Sequence, residues 1–238
     1  MKLDILAFGA HPDDVEISMG GTILHYISEG KKVGIVDLTE GDLGTRGSVE
    51  SRYAEAEAAS KFMGIETRVN LQMKDGFFQH NEENLLKVIE QIRRFKPEIV
   101  FANSITDRHP DHAKGAKLVA EAAYLSGLRK IKSSWEGVDQ EAHRPRLTLH
   151  YIQDYFIVPT IIFDVSTFME QKIEAIQCYK TQFYDPNSTE PNTPISGKDF
   201  LEFLKGRMKE FGRPIGAEYA EGFTMNKLMG VTDLFKLK

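Results

Sequence analysis

The sequence has almost no cysteine and lacks any long apolar run, and both absences narrow the class of protein. A single cysteine among 238 residues, Cys178, excludes an intramolecular disulfide framework. No stretch approaches the roughly 18 apolar residues that a membrane-spanning helix needs. The apolar run at residues 3–8 is short and is soon followed by acidic residues, which argues against a secretory signal. These features predict a cytoplasmic protein.

Positive charge is not in excess. Lys and Arg number 30 against 35 Asp and Glu, so the formal net charge is −5. A nucleic-acid or anionic-membrane partner is therefore not expected. Hydrophobic residues make up 41% of the chain and charged residues 27%, which is ordinary for a globular protein. Because no repeat or linker divides the chain, we expect one domain over residues 1–238.

Short apolar segments typical of buried strands alternate with helical patterns along the chain. Strands are predicted at 3–8, 32–38, 68–71, 98–102, 149–156 and 159–165. Helices are predicted after residue 12 and at 48–63, 81–95, 113–127, 166–183 and 197–211, with a last strand or loop at 217–224. This alternation predicts an α/β fold, a single Rossmann-like domain with a largely parallel sheet and helices on both faces.

A dense polar stretch, His11-Pro12-Asp13-Asp14, comes directly after the first predicted strand. Proline suits the first position of a helix, and carboxylates are favoured in the first turn. In open α/β sheets, ligands bind where the strands hand over to helices. We therefore expect His11, Asp13 and Asp14 to lie at the ligand-binding edge of the sheet.

A second stretch of the same kind, His109-Pro110-Asp111-His112, follows the strand predicted at 98–102. If both strands are central and parallel, the two motifs converge at one edge. A catalytic zinc ion takes three nitrogen or oxygen ligands and keeps one position open, and the same donors also suit Fe²⁺ or Mn²⁺. Either motif alone would be an ordinary helix start. The histidines outside these motifs are expected to pack or face solvent: His25, His80, His143 and His150.

The two motifs, AHPDD and HPDH, resemble the LmbE-like family of zinc-dependent N-acetylglucosaminyl deacetylases. Four further segments resemble the branch of bacillithiol biosynthesis, which acts on N-acetylglucosaminyl malate: 41–47 (GDLGTRG), 75–78 (DGFF), 182–188 (QFYDPNS) and 219–223 (YAEGF). The resemblance covers essentially the whole chain. It implies a Zn²⁺ cofactor, with Fe²⁺ an alternative in the cell, an amino-sugar conjugate as substrate, and a homo-oligomer such as a hexamer.

The resemblance assigns His11, Asp14 and His112 as metal ligands and Asp13 as the general base. Neighbouring residues of a helix point about 100° apart. Asp14 can then hold the metal while Asp13 faces the attacking water. The reaction implied is hydrolysis of the acetamide to a free amine and acetate.

His109 matches a histidine that assists the tetrahedral intermediate, and Asp111 matches a carboxylate that orients or tunes it. Some relatives place a tyrosine two residues before this histidine, where it polarises the substrate carbonyl. Asp107 stands at that position here. Either His109 has that duty alone or another residue substitutes.

A malate aglycone has two carboxylates, which arginine forks bind well. The candidates are Arg46 in the loop after the second strand, Arg52 in the next helix, and Arg108 beside the second motif. Arg52 matches a family active-site arginine, whereas Arg46 and Arg108 are equally compatible with solvated surface residues.

Three other functions compete with this assignment. The same chemistry can act on another N-acetylglucosamine conjugate, such as an inositol glycoside or a chitin fragment. A non-catalytic sugar-binding protein can retain the metal site, although such a site needs no base beside its ligand. A dinucleotide-binding oxidoreductase is disfavoured because no G-x-G-x-x-G follows the first strand.

Overall fold

The computed structural model describes residues 1–236. The strands are β1 (Ile5–Gly9), β2 (Val33–Thr39), β3 (Thr67–Met73), β4 (Ile99–Ala102), β5 (Ser134–Trp135), β6 (Val138–Asp139), β7 (Leu147–Tyr151), β8 (Ile161–Asp164) and β9 (Ala220–Thr224). The helices are α1 (Asp14–Ser28), α2 (Val49–Met63), α3 (Glu82–Phe95), α4 (Pro110–Leu125), α5 (Met169–Gln177) and α6 (Phe200–Gly212). No helix within residues 1–236 is long and apolar enough to cross a membrane.

The central sheet has the order β3-β2-β1-β4-β7-β9-β8. Its first five strands pair in parallel, whereas β9 runs antiparallel to both neighbours, β7 and β8. The predicted α/β class and mostly parallel sheet are therefore confirmed. The mixed strands at one end correct the Rossmann-like expectation, because β9 returns from α6 and inserts between β7 and β8.

Helices cover both faces of the sheet, and the alternating side chains of β1 show why. Leu6 and Phe8 lie in one apolar cluster with residues of α3 and α4. Ile5 and Ala7 point to the opposite face and pack in a cluster with residues of α1. A strand buried on both faces is apolar throughout, as β1 is.

The order of the strands determines where a ligand can bind. β1 pairs with β2 on one side and with β4 on the other, so the chain runs outward from β1 in both directions. Such a switch in strand order leaves a crevice at the carboxyl ends of the strands. β1 and β4 are parallel neighbours, and the two polar motifs follow those ends.

Several boundaries differ from the sequence prediction. Helix α1 begins at Asp14 rather than Pro12, because Asp13 adopts a left-handed conformation with φ of 113°. The helix expected at 166–183 is shorter: a 3₁₀ turn leads into α5, which ends at Gln177. Residues 129–148, for which the sequence predicts no helix or strand, contain the small hairpin β5–β6.

Candidate active site

A cavity of about 240 Å³ opens at the predicted edge of the sheet. Both polar motifs line it, together with the loops that follow β2, β3 and β7 and one face of α6. The volume lies near the lower end of the range for small-ligand pockets, which suits a ligand the size of a sugar.

The turn from β1 into α1 aims the side chains of the first motif. The His11 backbone N–H donates to Asp14 Oδ2 at 3.0 Å, and the Asp14 N–H donates to the His11 carbonyl at 3.3 Å. A Cβ on Gly9 would lie 3.0 Å from that carbonyl oxygen, closer than most Cβ contacts, so the turn favours glycine. Asp13 carries the strain of its positive φ, about 1–3 kcal/mol for a residue other than glycine.

The three expected metal ligands come together. Asp14 lies between two imidazoles, with Oδ2 3.6 Å from His11 Nδ1 and Oδ1 3.1 Å from His112 Nε2. His109 joins the same cluster, since ring nitrogens of His11, His109 and His112 lie within 4.8 Å of one another. Imidazole and carboxylate donors at this spacing fit a divalent transition metal.

The outer nitrogens of the two ligand histidines are held by carboxylates. His11 Nε2 lies 3.1 Å from Asp75 Oδ1 and 3.7 Å from Asp111 Oδ2. His112 Nδ1 is hydrogen-bonded to Asp107. Carboxylates in this position fix the ring orientation and tautomer of a ligating histidine. Asp107 therefore supports His112 and does not replace the tyrosine of some relatives.

These ion pairs shift the pKa values of the cluster. Burial opposes charge on all three groups, but the contacts between them outweigh it. The charge of Asp14 and the hydrogen bond with Asp107 raise the pKa of His112 to about 9, and carboxylate contacts raise the pKa of His11 well above its usual value. The two histidines in turn hold the pKa of Asp14 well below its ordinary value. The contacts with the two histidines therefore keep Asp14 ionised.

Two buried side-chain amides donate hydrogen bonds to the Asp14 carboxylate. Asn103 Nδ2 donates to Oδ2, and Gln153 Nε2 donates to Oδ1, each at 3.0 Å. Gln153 Oε1 accepts from Asn103 at 3.0 Å and from the Ser104 backbone at 3.1 Å. This network leaves Asp14 little freedom to rotate.

Asp13 lies beside this cluster and pairs with an arginine. Arg52 Nη1 is 3.4 Å from Asp13 Oδ2, and the same guanidinium donates to the Pro12 carbonyl. Burial raises the pKa of Asp13 to about 7, and the charge of Arg52 offsets part of that rise. A carboxylate with a pKa near neutrality can both accept and return a proton at neutral pH.

His109 lines the cavity, and one of its ring nitrogens is held by the backbone. Its Nδ1 accepts from the Asp111 backbone N–H at 3.3 Å, which places the proton of the neutral ring on Nε2. Burial, with the charges of His11 and His112, lowers the pKa of His109. The neutral ring is therefore favoured, and it offers a hydrogen-bond donor.

The contacts of the Asp111 carboxylate differ from the expectation that this group orients His109. Its Oδ2 accepts from the Gly76 backbone N–H at 2.7 Å and lies near His11, and its other oxygen pairs with Lys114. Only the backbone N–H of Asp111 reaches His109. Asp111 lies in the first turn of α4, and its carboxylate contacts the loop after β3.

The three arginines expected to bind substrate lie in different places. Arg52 and Arg108 line the cavity. Arg46 does not, which corrects that expectation. Its buried guanidinium donates to the Phe183 carbonyl at 3.2 Å and to Ser188 Oγ at 2.5 Å, so it joins two loops. Both partners are more than 130 residues away from Arg46 in the sequence, so no local pattern around Arg46 could have predicted these contacts.

Sequence reasoning missed three residues of the site: Asp75, Gln153 and Arg207. Asp75 and Gln153 each come just after a parallel strand, β3 and β7. The rule that located both histidine motifs would have found them. Arg207 lies in the middle of α6, and no sequence pattern around it indicated that it would line the site.

A family model described as PIG-L, GlcNAc-PI de-N-acetylase, matches residues 6–123, which include both motifs. Diacetylchitobiose deacetylase of Thermococcus kodakarensis is 27% identical over 229 residues, covering 92% of this chain and 81% of that protein. A probable N-acetyl-alpha-D-glucosaminyl L-malate deacetylase 2 of Bacillus anthracis is 23% identical over 192 residues, covering 75% and 81%.

The same fold occurs in a solved structure over nearly the full length. Conserved protein TT1542 of Thermus thermophilus is 32% identical, with a TM-score of 0.84, and the match covers 97% of this chain and 98% of that one. The matched motifs, the site they build and this full-length likeness lead to one conclusion. The chain belongs to the PIG-L (LmbE-like) family of deacetylases.

Proposed function

We propose that this deacetylase hydrolyses the acetamide of N-acetylglucosaminyl malate, giving the free amino sugar and acetate, as in bacillithiol biosynthesis. We further propose that residues 1–238 act as one domain. The observation that carries the reaction class is Asp13, a buried carboxylate with a pKa of about 7 beside a cluster of histidines and Asp14.

His11, Asp14 and His112 would hold the metal, which we propose to be Zn²⁺, with Fe²⁺ as the alternative in the cell. Bound there, the ion would supply a Lewis acid and a water of lowered pKa. His109 lies in the same cluster, but its Nδ1 already accepts from the Asp111 backbone. We therefore assign its free Nε2–H to the substrate rather than to the metal.

Asp13 is the proposed general base. It accepts a proton from the water that attacks the acetamide carbonyl, and it returns that proton to the nitrogen of the leaving amine as the C–N bond breaks. The Arg52 guanidinium holds the Asp13 side chain in position through its contacts with Oδ2 and with the Pro12 carbonyl.

His109 is the proposed donor to the carbonyl oxygen. Its neutral ring keeps a hydrogen on Nε2, and we propose that this N–H donates to the substrate oxygen on which negative charge develops. A fixed donor at this place stabilises the transition state more than the ground state. The Asp111 carboxylate acts at a distance, by orienting His11.

The malate aglycone is supported by the arginines that line the cavity, Arg52, Arg108 and Arg207, and by the segments that resemble the bacillithiol branch. A chitin fragment is the second candidate, because the relative from Thermococcus kodakarensis is a diacetylchitobiose deacetylase and the exposed ring of Phe203 lines the cavity. An apolar ring can pack against a second, neutral sugar.

The test is acetate release from three substrates at matched concentrations: N-acetylglucosaminyl malate, N,N′-diacetylchitobiose and N-acetylglucosamine. We expect the highest kcat/KM for the malate conjugate. Preference for diacetylchitobiose would replace the malate assignment with the second candidate. Release from none of them would contradict the proposed function.

A further inference from the structure

Two arginines other than Arg52 lie together on the wall of the cavity. Arg207 projects from α6 and Arg108 precedes the second motif, and both line the cavity. Arg207 Nη2 donates to the Asp154 carbonyl oxygen, and Arg108 Nε pairs with Asp154 Oδ2 at 3.1 Å. Two guanidinium groups therefore meet at one aspartate that follows β7.

Arg207 has no carboxylate partner within residues 1–236. The Asp154 carboxylate pairs with Arg108, and Arg207 reaches only the backbone carbonyl of Asp154. The other cavity carboxylates contact other groups: Asp13 contacts Arg52, and Asp14, Asp75 and Asp107 contact histidines. An anionic ligand group would complete the pairing.

The two arginines are also available to a ligand. The Arg108 side chain is 33% exposed and that of Asp154 38%, and ion pairs at that exposure contribute little to stability. Arg207 uses one N–H for the Asp154 carbonyl, and within residues 1–236 its other guanidinium N–H groups have no protein acceptor. The ring of Phe203 lies 5.7 Å from this guanidinium.

We propose that Arg207 is a specificity-determining residue that, with Arg108, binds a carboxylate of the aglycone. This inference rests on the proposed malate substrate and adds a residue for which the sequence gave no signal. Planar guanidinium groups bind carboxylates through two parallel hydrogen bonds, which favours an acidic aglycone over a neutral sugar. Arg207 touches the aglycone and takes no part in cleavage of the amide.

The experiment measures kcat and KM of wild type, Arg207→Gln and Arg207→Lys on two substrates that differ in the aglycone: N-acetylglucosaminyl malate and the neutral methyl N-acetylglucosaminide. For Arg207→Gln we expect KM for the malate conjugate to rise about ten- to a hundredfold with kcat unchanged. The neutral glycoside should show no change, and Arg207→Lys should retain part of the affinity. Arg213→Gln, an exposed arginine just after α6, is the matched control.

Calorimetric binding of the product, glucosaminyl malate, gives a readout that does not depend on turnover. We expect the same ten- to hundredfold loss of affinity in Arg207→Gln. Equal losses on both substrates would assign Arg207 a structural role, and an unchanged KM would also overturn the proposal. If wild type itself does not prefer the malate conjugate, the proposed aglycone fails first, and the arginine proposal fails with it.

Discussion

Asp13 combines a strained backbone, a buried carboxylate and an arginine partner in one residue. The φ of 113° lies in a region that aspartate enters at a cost of about 1–3 kcal/mol. That conformation ends the turn after Pro12 and takes the Asp13 side chain out of the helical direction. Strain of this kind, retained next to a metal-capable cluster, is typical of functional residues.

Replacing the base without removing the metal separates the two roles in the first motif. Asp13→Asn should lower kcat about 10²- to 10⁴-fold, because the amide cannot accept the proton, while bound Zn²⁺ per chain stays at the wild-type level. Asp14→Asn is the contrasting variant and should lose the metal. Metal content measured on purified protein, together with acetate release, checks both. Normal turnover by Asp13→Asn would remove it as the base.

His109→Gln tests the proposed donor to the carbonyl oxygen. Loss of one donor at a developing oxyanion lowers kcat about 10²- to 10³-fold, and we expect an effect of that size with metal content unchanged. His80→Gln is the control, since His80 pairs with Glu121 on the surface. If His109→Gln instead released the metal, His109 would be a ligand and the role of Asp14 would have to be revised.

At the scale of elements, helix α1 has a kink at Met19, and a buried ion pair contacts the helix just beyond it. Met19 has non-helical angles (φ −142°, ψ 20°). The backbone N–H groups of Gly21 and Thr22, just beyond the kink, donate to the Glu221 carboxylate at 2.9 and 2.8 Å. Lys172 Nζ lies 2.6 Å from the same carboxylate, and both charged side chains are fully buried.

This ion pair joins α1, α5 and β9, so its removal should loosen the helix that carries Asp13 and Asp14. Lys172→Met leaves Glu221 buried without a cation, which we expect to lower the free energy of unfolding by about 3–5 kcal/mol. Urea unfolding measures the change, with the exposed Lys180→Met as control. If Lys172→Met lowered the free energy of unfolding no more than the control does, the Lys172–Glu221 pair would contribute nothing to stability.

His150 on β7 links stability to pH. Its ring Nδ1 lies 2.9 Å from the Asn103 carbonyl, and burial lowers its pKa. The folded ring stays neutral below the usual histidine pKa of about 6.5 while the unfolded ring takes up a proton, so wild type loses stability as pH falls below that value. His150→Asn cannot titrate. The difference in free energy of unfolding between wild type and His150→Asn should therefore become smaller as the pH falls from 7.5 to 5.5. A difference that stays constant over this range would contradict the prediction.

The parts of the fold that sequence predicted are those governed by local pattern. Helix α2, predicted over 48–63, runs over Val49–Met63 between a capping box at Ser48 and a left-handed Gly64. The convergence of His11 and His112 followed from two strands ending at one edge. The antiparallel β9, the role of Arg46 and the position of Arg207 depend on contacts far along the chain, which no local pattern reports.

At the scale of the whole molecule, the homo-oligomer implied by the family resemblance stays a prediction. The segment after β9 exposes large apolar side chains: Leu228 is 93% exposed and Phe235 is 99% exposed. Exposed apolar residues at this density are typical of surfaces that pack against another chain. Light scattering should give a mass that is a multiple of 27.0 kDa. A mass of one chain would contradict the expectation.

The central claim is that both histidine motifs form one metal-dependent hydrolytic centre. The most direct measurement is acetate release from N-acetylglucosaminyl malate by metal-stripped protein, before and after one equivalent of Zn²⁺, with bound metal determined in parallel. We predict no turnover without metal, and turnover restored at one ion per chain. Full turnover by the stripped protein, or failure of the chain to bind Zn²⁺, would contradict the account.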